Sequence, residues 1–298
     1  MIFSNFVKKK FKLDCMEEIA HDQCFDNKIG VIDLETYPID KCNDELTLDN
    51  YIEPNNSGTH GVYAGGWRVD DEKHFYYLGE EGCESQEALI QTMIVDIFKC
   101  GYSKYTFYAH NFARFDGHFI TNSLLVNLPN CERFTQDDIK LIVGDSNDLI
   151  ELKIRRSKKV KGISKSQSKK NYGTIKILDS LNIIPNSLDK IATDILKVDG
   201  KDYFPHYFMC KDTLHYQGTV PNIKYFGSQI NSDEYKKLLT DCKNVWNAKD
   251  NCLKYLEKDL EILYDALIGF AQSFWFDYGI NITKRKNYIW IKFTKFPS

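Results

Sequence analysis

The hydrophobic pattern of the first half of the chain predicts alternating strands and helices. The apolar, β-branched run IGVIDLETY at 29–37 predicts a buried strand with two acids on one face, because strand side chains repeat every second residue. Residues 61–78 predict two strands joined by the polar turn VDDEK, and residues 86–101 predict an amphipathic helix that ends at a glycine. TFYAHN at 106–111 predicts a strand, and the helix that follows begins at FDGHFI. We therefore expect strands of one sheet together with two helices.

The second half shows the same alternation with a basic interruption. Residues 131–178 predict a β-hairpin whose strands, DLIELKI and TIKIL, flank the lysine- and serine-rich loop RRSKKVKGISKSQSKKN. This loop, 155–170, is either a solvated run of charge or a contact for a DNA backbone. SLDKIATDILKV predicts a short helix, 201–235 predicts irregular structure, and 244–276 predicts a long helix.

Composition and charge limit the classes of function. The 298 residues carry 39 basic and 42 acidic side chains, a formal charge of −3, so any contact with nucleic acid must be local. The nine cysteines are odd in number and form no CxxC pair, which argues against a disulfide framework and a zinc ribbon. The first residues lack the order of a secretory signal, and no apolar run is long enough to span a bilayer. We expect a folded, soluble, intracellular protein, or one made inside the organelle where it works.

Two acids in the first predicted strand are the first candidates for chemistry. Asp33 and Glu35 interrupt an apolar strand, where burying two unpaired charges would be costly. A role as ligands of Mg²⁺, which prefers oxygen, would relieve that cost. An exposed strand end explains the D-x-E pattern about as well.

Two later segments add acids at defined spacing. In AHNFARFDGHFI, Asn111, Phe115 and Asp116 lie where a strand passes into a helix, although an Asp there is commonly an N-cap. In KYLEKDLEILYDAL, Tyr255 and Asp259 stand four apart and share a helix face, where a surface acid beside a packed tyrosine is the ordinary explanation. Hydrolysis of a phosphodiester by two metal ions needs carboxylates that converge from separate elements of this kind.

Together, the three segments resemble the Exo I, Exo II and Exo III motifs of proofreading exonucleases, of the branch that has tyrosine in the third motif. The stretch DSLNIIPNSLDKIA, with Ser180 and Leu181, and the stretch KDYFPHYF, with Lys201, are similar to protein-primed family B DNA polymerases of fungal mitochondrial plasmids and phages. Lys197 is the alternative to Lys201 as the exonuclease lysine. The resemblance covers about residues 28–280, and the palm motifs of the family do not follow it.

This resemblance implies an α/β fold of the ribonuclease-H-like kind, with a mixed central sheet flanked by helices. It divides the chain into a leader at 1–28, an exonuclease domain at 29–280 and a basic tail at 281–298, with no polymerising activity expected from this chain alone. Tyr255 would orient the attacking water and Lys201 would steady the phosphate. Two ions of Mg²⁺ or Mn²⁺ would be held by Asp33, Glu35, Asp116 and Asp259. The 3′ end of single-stranded DNA would be held by Asn111, Phe115, Ser180 and Leu181.

The resemblance also implies a place of work and partners. It indicates a mitochondrial protein that acts in DNA replication on single-stranded 3′ ends, beside a terminal priming protein and away from membranes. A free-standing exonuclease of the tyrosine type would have the same site. A non-catalytic, DNA-binding relic of a plasmid polymerase is the alternative from another class.

Overall fold

The computed structural model describes residues 28–39, 60–126, 134–144, 149–156, 173–198, 202–242 and 245–278. Most of the predicted leader, the centre of the basic loop, Lys201 and the predicted basic tail lie outside the described residues.

A seven-stranded mixed sheet forms the centre of the described fold, in the spatial order β3-β2-β1-β4-β7-β6-β5. β1 pairs in parallel with β4, and β4 with β7, whereas the other neighbours are antiparallel. The strands are β1 Ile29–Pro38, β2 His60–Val69, β3 Glu72–Tyr77, β4 Thr106–Ala109, β5 Ile139–Val143, β6 Leu149–Arg156 and β7 Gly173–Asp179. A second, two-stranded sheet pairs β8 Gln217–Gly218 with β9 Trp246–Asn247.

Helices cover both faces of the large sheet. The α-helices are α1 Gln86–Lys99, α2 Asp116–Leu125, α3 Leu188–Lys190, α4 Ser232–Asp241 and α5 Ala248–Tyr278. α3 continues into a π-helical segment, Ile191–Leu196, and short 3₁₀ turns occupy Gln136–Asp138, Ser180–Asn182, His206–Phe208 and Ile223–Gln229. None of the described helices combines the length and the apolar character that a bilayer-spanning segment requires.

Alternation along β1 supplies two separate cores. Ile32 and Leu34 pack with α1 and α2 on one face, whereas Ile29 and Val31 pack with α5 on the other. Asp33 and Glu35 share the parity of Ile29 and Val31, so β1 directs them to the face that α5 covers. A third cluster of aromatic side chains, around Phe204 and Trp246, closes the end of this face.

The prediction of an α/β fold with a mixed central sheet flanked by helices is confirmed. The predicted strands at the start of the chain, the hairpin and the long final helix also occur where the pattern indicates. One part of the prediction is wrong: α4 begins at Ser232, inside the segment predicted to be irregular. Asn231 and Glu234 cap its first turn reciprocally, a signal that outweighs the low hydrophobicity of the segment.

Candidate active site

The first pair of acids lies on β1 beneath α5. Asp33 is opposite Gly66 of β2, and a Cβ at Gly66 would stand only 3.1 Å from Leu260 Cδ1 of α5. The missing side chain therefore lets the helix approach the strand closely. Glu35 is 7% exposed, and the pairing of β1 with β2 shifts register directly after it. The two carboxylates are thus held between a sheet and a helix rather than at an exposed strand end.

α5 brings a third acid to this pair. Carboxylate oxygens of Asp33, Glu35 and Asp259 all lie within 4.8 Å of one another, and Asp259 is 3% exposed. Tyr255, one turn earlier on α5, donates a hydrogen bond from its hydroxyl to Asp259. Burial raises the pKa of Tyr255 far above its ordinary value, and the charges of Asp259, Glu35 and Asp33 raise it further. The phenol therefore keeps its proton beside the acids.

Asp116 lies close enough to the first pair of acids for the charge of Asp33 to act on it. It is the first residue of α2, after Phe115, and the helix has no side-chain cap, so the N-cap explanation does not hold. Asp116 is 2% exposed, and its Oδ1 is buried without a hydrogen-bond partner among the described residues. Burial raises the pKa of Asp116 well above its ordinary value, and the charges of Asp33 and then Asp179 add to this.

A glycine sets the position of Asp116. A Cβ on the next residue, Gly117, would lie 2.6 Å from Leu149 Cδ2 and 2.7 Å from the Phe112 carbonyl oxygen. Real Cβ atoms do not approach backbone oxygens this closely, so only glycine lets the first turn of α2 pack here. The start of α2, and with it the Asp116 carboxyl, is thereby pressed against the sheet.

Asp179 is a buried acid that the sequence interpretation did not single out. Its two carboxylate oxygens accept hydrogen bonds from the backbone N–H groups of Ala113 and Leu181, each at 2.9 Å. Burial raises the pKa of Asp179, whereas these and neighbouring N–H groups act in the opposite direction. Asp179 thereby ties the loop that carries Asn111, a residue with a φ of 61°, to the end of β7. Its place at a strand end, directly before a polar turn, was the available signal.

Aromatic rings form a rim beside the acids. Phe115 is half-buried and makes edge-to-face contacts with His60, at 6.0 Å between ring centroids, and with Phe119, at 5.4 Å. His60 Nδ1 lies 3.4 Å from the hydroxyl of Thr36, which directly follows Glu35. The rim thus offers apolar ring surface next to the carboxylates.

The predicted Ser-Leu pair does not belong to the aromatic rim and lies beside His110 and Asp179 instead. Ser180 is fully buried, and its hydroxyl lies 3.0 Å from His110 Nδ1. Leu181 is half-buried and donates its backbone N–H to Asp179. His110 precedes Asn111 directly and was overlooked in the interpretation of the second motif.

A histidine completes the other side of the cluster. His206 Nδ1 lies 3.8 Å from Glu35 Oε2, and its ring contacts Tyr255 edge-on at 5.0 Å. Phe204 packs on Tyr255 at 5.5 Å. Both residues belong to the KDYFPHYF stretch, in which only the lysine had been singled out. Lys201 itself lies outside the described residues, whereas Lys197 is exposed, with a left-handed backbone, at the end of the π-helical segment.

Comparison with known proteins shows the family. The sequence model described as "DNA polymerase type B, organellar and viral" matches residues 97–288, and the chain belongs to this family. A probable DNA polymerase of Agaricus bitorquis is 35% identical over 272 residues, which are 88% of this chain and 30% of that relative. A probable DNA polymerase of Podospora anserina is 25% identical over 86% of this chain and 24% of its own length. The chain thus spans less than a third of these relatives, and the resemblance to family B polymerases of the protein-primed kind is confirmed.

Solved structures of a phage polymerase are similar over most of the chain. Phi29 DNA polymerase complexed with single-stranded DNA matches 82% of this chain and 32% of its own, with 18% identity and a TM-score of 0.44. The same polymerase complexed with primer-template DNA and incoming nucleotides matches with 17% identity and a TM-score of 0.43.

Proposed function

We propose that this chain is the 3′→5′ exonuclease portion of a family B DNA polymerase. The observation that carries the proposal is the convergence of the acids of three separate sequence motifs. Carboxylate oxygens of Asp33 and Glu35 on β1 and of Asp259 on α5 lie within 4.8 Å of one another, and the charge of Asp33 acts on the buried carboxyl of Asp116 at the start of α2. Gathering like charges does not stabilise a protein. Such a cluster therefore indicates a functional site, in which a bound positive charge would neutralise the acids.

The donor set fits two divalent metal ions of the Mg²⁺ or Mn²⁺ type. All four side chains offer carboxylate oxygens, the ligands that these hard cations prefer. The orphaned Oδ1 of Asp116 and the raised pKa of that carboxyl both indicate a position where a positive charge would be stabilised. When bound, such a pair of ions activates a water molecule and stabilises the charge on the leaving oxygen.

The surrounding side chains fit the handling of a DNA end. The protonated hydroxyl of Tyr255, fixed by its hydrogen bond to Asp259, would orient the attacking water. The ring of Phe115 would stack on a base, and Asn111 would bind the terminal nucleotide from the adjoining loop. Ser180 would act through His110 and Leu181 by apolar contact, and Lys201 is retained as the lysine that steadies the phosphate.

We infer the wider role from the family. A site of this kind beside a polymerising domain would remove misincorporated nucleotides during DNA replication, and a terminal protein would supply the priming hydroxyl. The fungal origin of the relatives and the resemblance to mitochondrial plasmid polymerases support the proposal that the protein works in the mitochondrion.

The test is degradation of single-stranded DNA labelled at its 5′ end by the purified chain with Mg²⁺ or Mn²⁺. We expect a ladder that shortens from the 3′ end. Asp33→Ala with Glu35→Ala should reduce the rate by at least about 10²–10³-fold, since the electrostatic stabilisation of the transition state is lost. The matched control is Asp71→Ala with Glu81→Ala, which removes two exposed acids elsewhere and should leave the rate unchanged. Equal cleavage by both double variants would overturn the proposal.

A further inference from the structure

A second group of potential metal ligands lies on the opposite face of the sheet. Glu72 and His74 stand two apart on β3 and therefore project to the same side, where Cys100 caps the C-terminal end of α1. One ligand atom from each of the three residues lies within 4.8 Å of the others. Glu72 and His74 are half-buried and Cys100 is exposed, so the group is open to solvent.

We propose that Glu72, His74 and Cys100 form a binding site for a borderline-soft divalent cation, with Zn²⁺ as the best fit. Thiolate, imidazole and carboxylate are the ligands that Zn²⁺ takes in proteins, and a water molecule would complete the tetrahedron. Bonds of about 2.0–2.3 Å to the metal require only small shifts of the three ligand atoms. The carboxylate cluster at Asp33 contains no sulfur or nitrogen donor in its trio and suits harder cations.

The three ligands already approach one another at distances that a cation could bridge. His74 Nε2 lies 3.0 Å from Glu72 Oε1, and the Cys100 sulfur lies within 4.8 Å of a ligand atom of each. Binding of Zn²⁺ would release the thiol proton of Cys100 to the buffer and form the sulfur–metal bond in its place.

Neighbouring side chains orient the ligands. The His74 ring is stacked on Trp67, at 4.4 Å between centroids and an angle of 10°, and Trp67 is fully buried. The hydroxyl of Tyr102 donates to the second carboxylate oxygen of Glu72. Groups that fix ligand orientation in this way are a regular feature of metal sites. The bound ion would link β3 to the end of α1, two elements that lie apart in the sequence.

The acids around Cys100 also favour a cation. Glu72 belongs to the same group of ligands, and Asp96 lies one turn before Cys100 on α1, where it is paired with Lys99 at 2.9 Å. A divalent ion at the three ligand atoms would favour the thiolate of Cys100, because its positive charge stabilises the anion.

The experiment is titration of the reduced, full 298-residue chain with Co²⁺, a spectroscopic probe for zinc sites. We expect a thiolate-to-cobalt charge-transfer band that saturates at one ion per chain and disappears when Zn²⁺ displaces Co²⁺. Cys100→Ser should lose the band, whereas the control Cys242→Ser, which removes a half-buried thiol at the end of α4, should keep it. Tyr102→Phe should weaken the affinity by about 10–100-fold through loss of an orienting hydrogen bond, with the band retained at saturation.

Absence of the band from the wild-type chain would overturn the proposal, and so would an unchanged band in Cys100→Ser. Asp33→Ala with Glu35→Ala should retain the band, because the two sites lie on opposite faces of the sheet. The outcome is therefore independent of whether the exonuclease proposal holds.

Discussion

Two sides of α5 carry acids in very different surroundings. On one side, Glu257 and Glu261 stand one turn apart and both bind the ammonium of Lys73, Glu257 at 2.9 Å and Glu261 at 2.5 Å. These carboxylates are 42% and 38% exposed. On the other side, Tyr255 and Asp259 are also one turn apart, but Asp259 is 3% exposed and faces two further acids.

The difference separates charge that stabilises a fold from charge that a fold tolerates. An acid paired with a lysine near the surface adds little to the stability of the fold, and keeping it there costs little stability. Acids brought together in a buried cluster raise one another's pKa, and this cost in stability points to a functional use. The spacing of Asp259 and Glu257 in the sequence does not distinguish these cases, whereas their neighbours in the structure do.

The largest expected effect is the loss of exonuclease rate in Asp259→Asn, compared with Glu257→Gln on the other side of α5. Asp259→Asn should reduce the single-stranded exonuclease rate by about 10²–10³-fold, because a carboxylate that would bind metal is lost. Glu257→Gln, two residues away on the same helix, should remain near the wild-type rate. The measurement is the exonuclease rate of each variant at saturating Mg²⁺. Similar losses in both variants would contradict the prediction, since they would show that activity responds to any change of charge on α5.

A smaller effect is expected at Tyr255. Tyr255→Phe keeps the buried ring but removes the hydroxyl that donates to Asp259. We expect a loss of about 10–100-fold in kcat with little change in KM, since the hydroxyl orients other groups rather than binding DNA. A change confined to KM would assign Tyr255 to substrate binding instead.

Next in size is a pH-dependent effect at Asp116. Its folded-state pKa is raised, so ionisation of this carboxyl destabilises the folded protein as the pH rises from about 3.9 through that raised value. Asp116→Asn removes the penalty and should therefore raise Tm at pH 7 in the absence of divalent ions. The gain should vanish below about pH 4, where Asp116 is protonated in both states. Thermal unfolding at both pH values is the measurement, and a loss of stability that is equal at both would contradict the account.

The smallest expected effect is on stability, from removing the ion pairs that Lys73 makes with α5. Lys73→Met should lower the free energy of unfolding by only about 0.2–1 kcal/mol, since both ion pairs are partly exposed. Exonuclease activity should not change. Denaturant unfolding gives the first quantity, and a loss of several kcal/mol would mean that this side of the helix contributes more than its exposure indicates.

The sequence predicts which motif acids share a face of their element, because local spacing encodes this. Asp33 and Glu35 alternate on a strand and Tyr255 and Asp259 share a helix face, so each pair is fixed by the repeat of its own element. The same periodicities predict the strands and helices, whereas the mixed sheet was expected from the resemblance to the family.

Other parts of the site depend on distant contacts. His206 reaches Glu35 across 171 positions of sequence, and Asp179 binds the N–H of Ala113 from the end of a parallel strand. The pairing of Lys73 with α5, and the meeting of Glu72 and His74 with Cys100, likewise arise only when the sheet is covered by its helices. No local pattern reports such contacts, so a sequence interpretation can name these residues but not their partners.

The most direct measurement of the central claim is anomalous diffraction from crystals of the chain soaked with Mn²⁺ and a short single-stranded DNA. The account predicts two peaks about 4 Å apart, bound by oxygens of Asp33, Glu35, Asp116 and Asp259 with the DNA 3′ end beside them. Peaks elsewhere, with these four carboxylates free of metal, would contradict it.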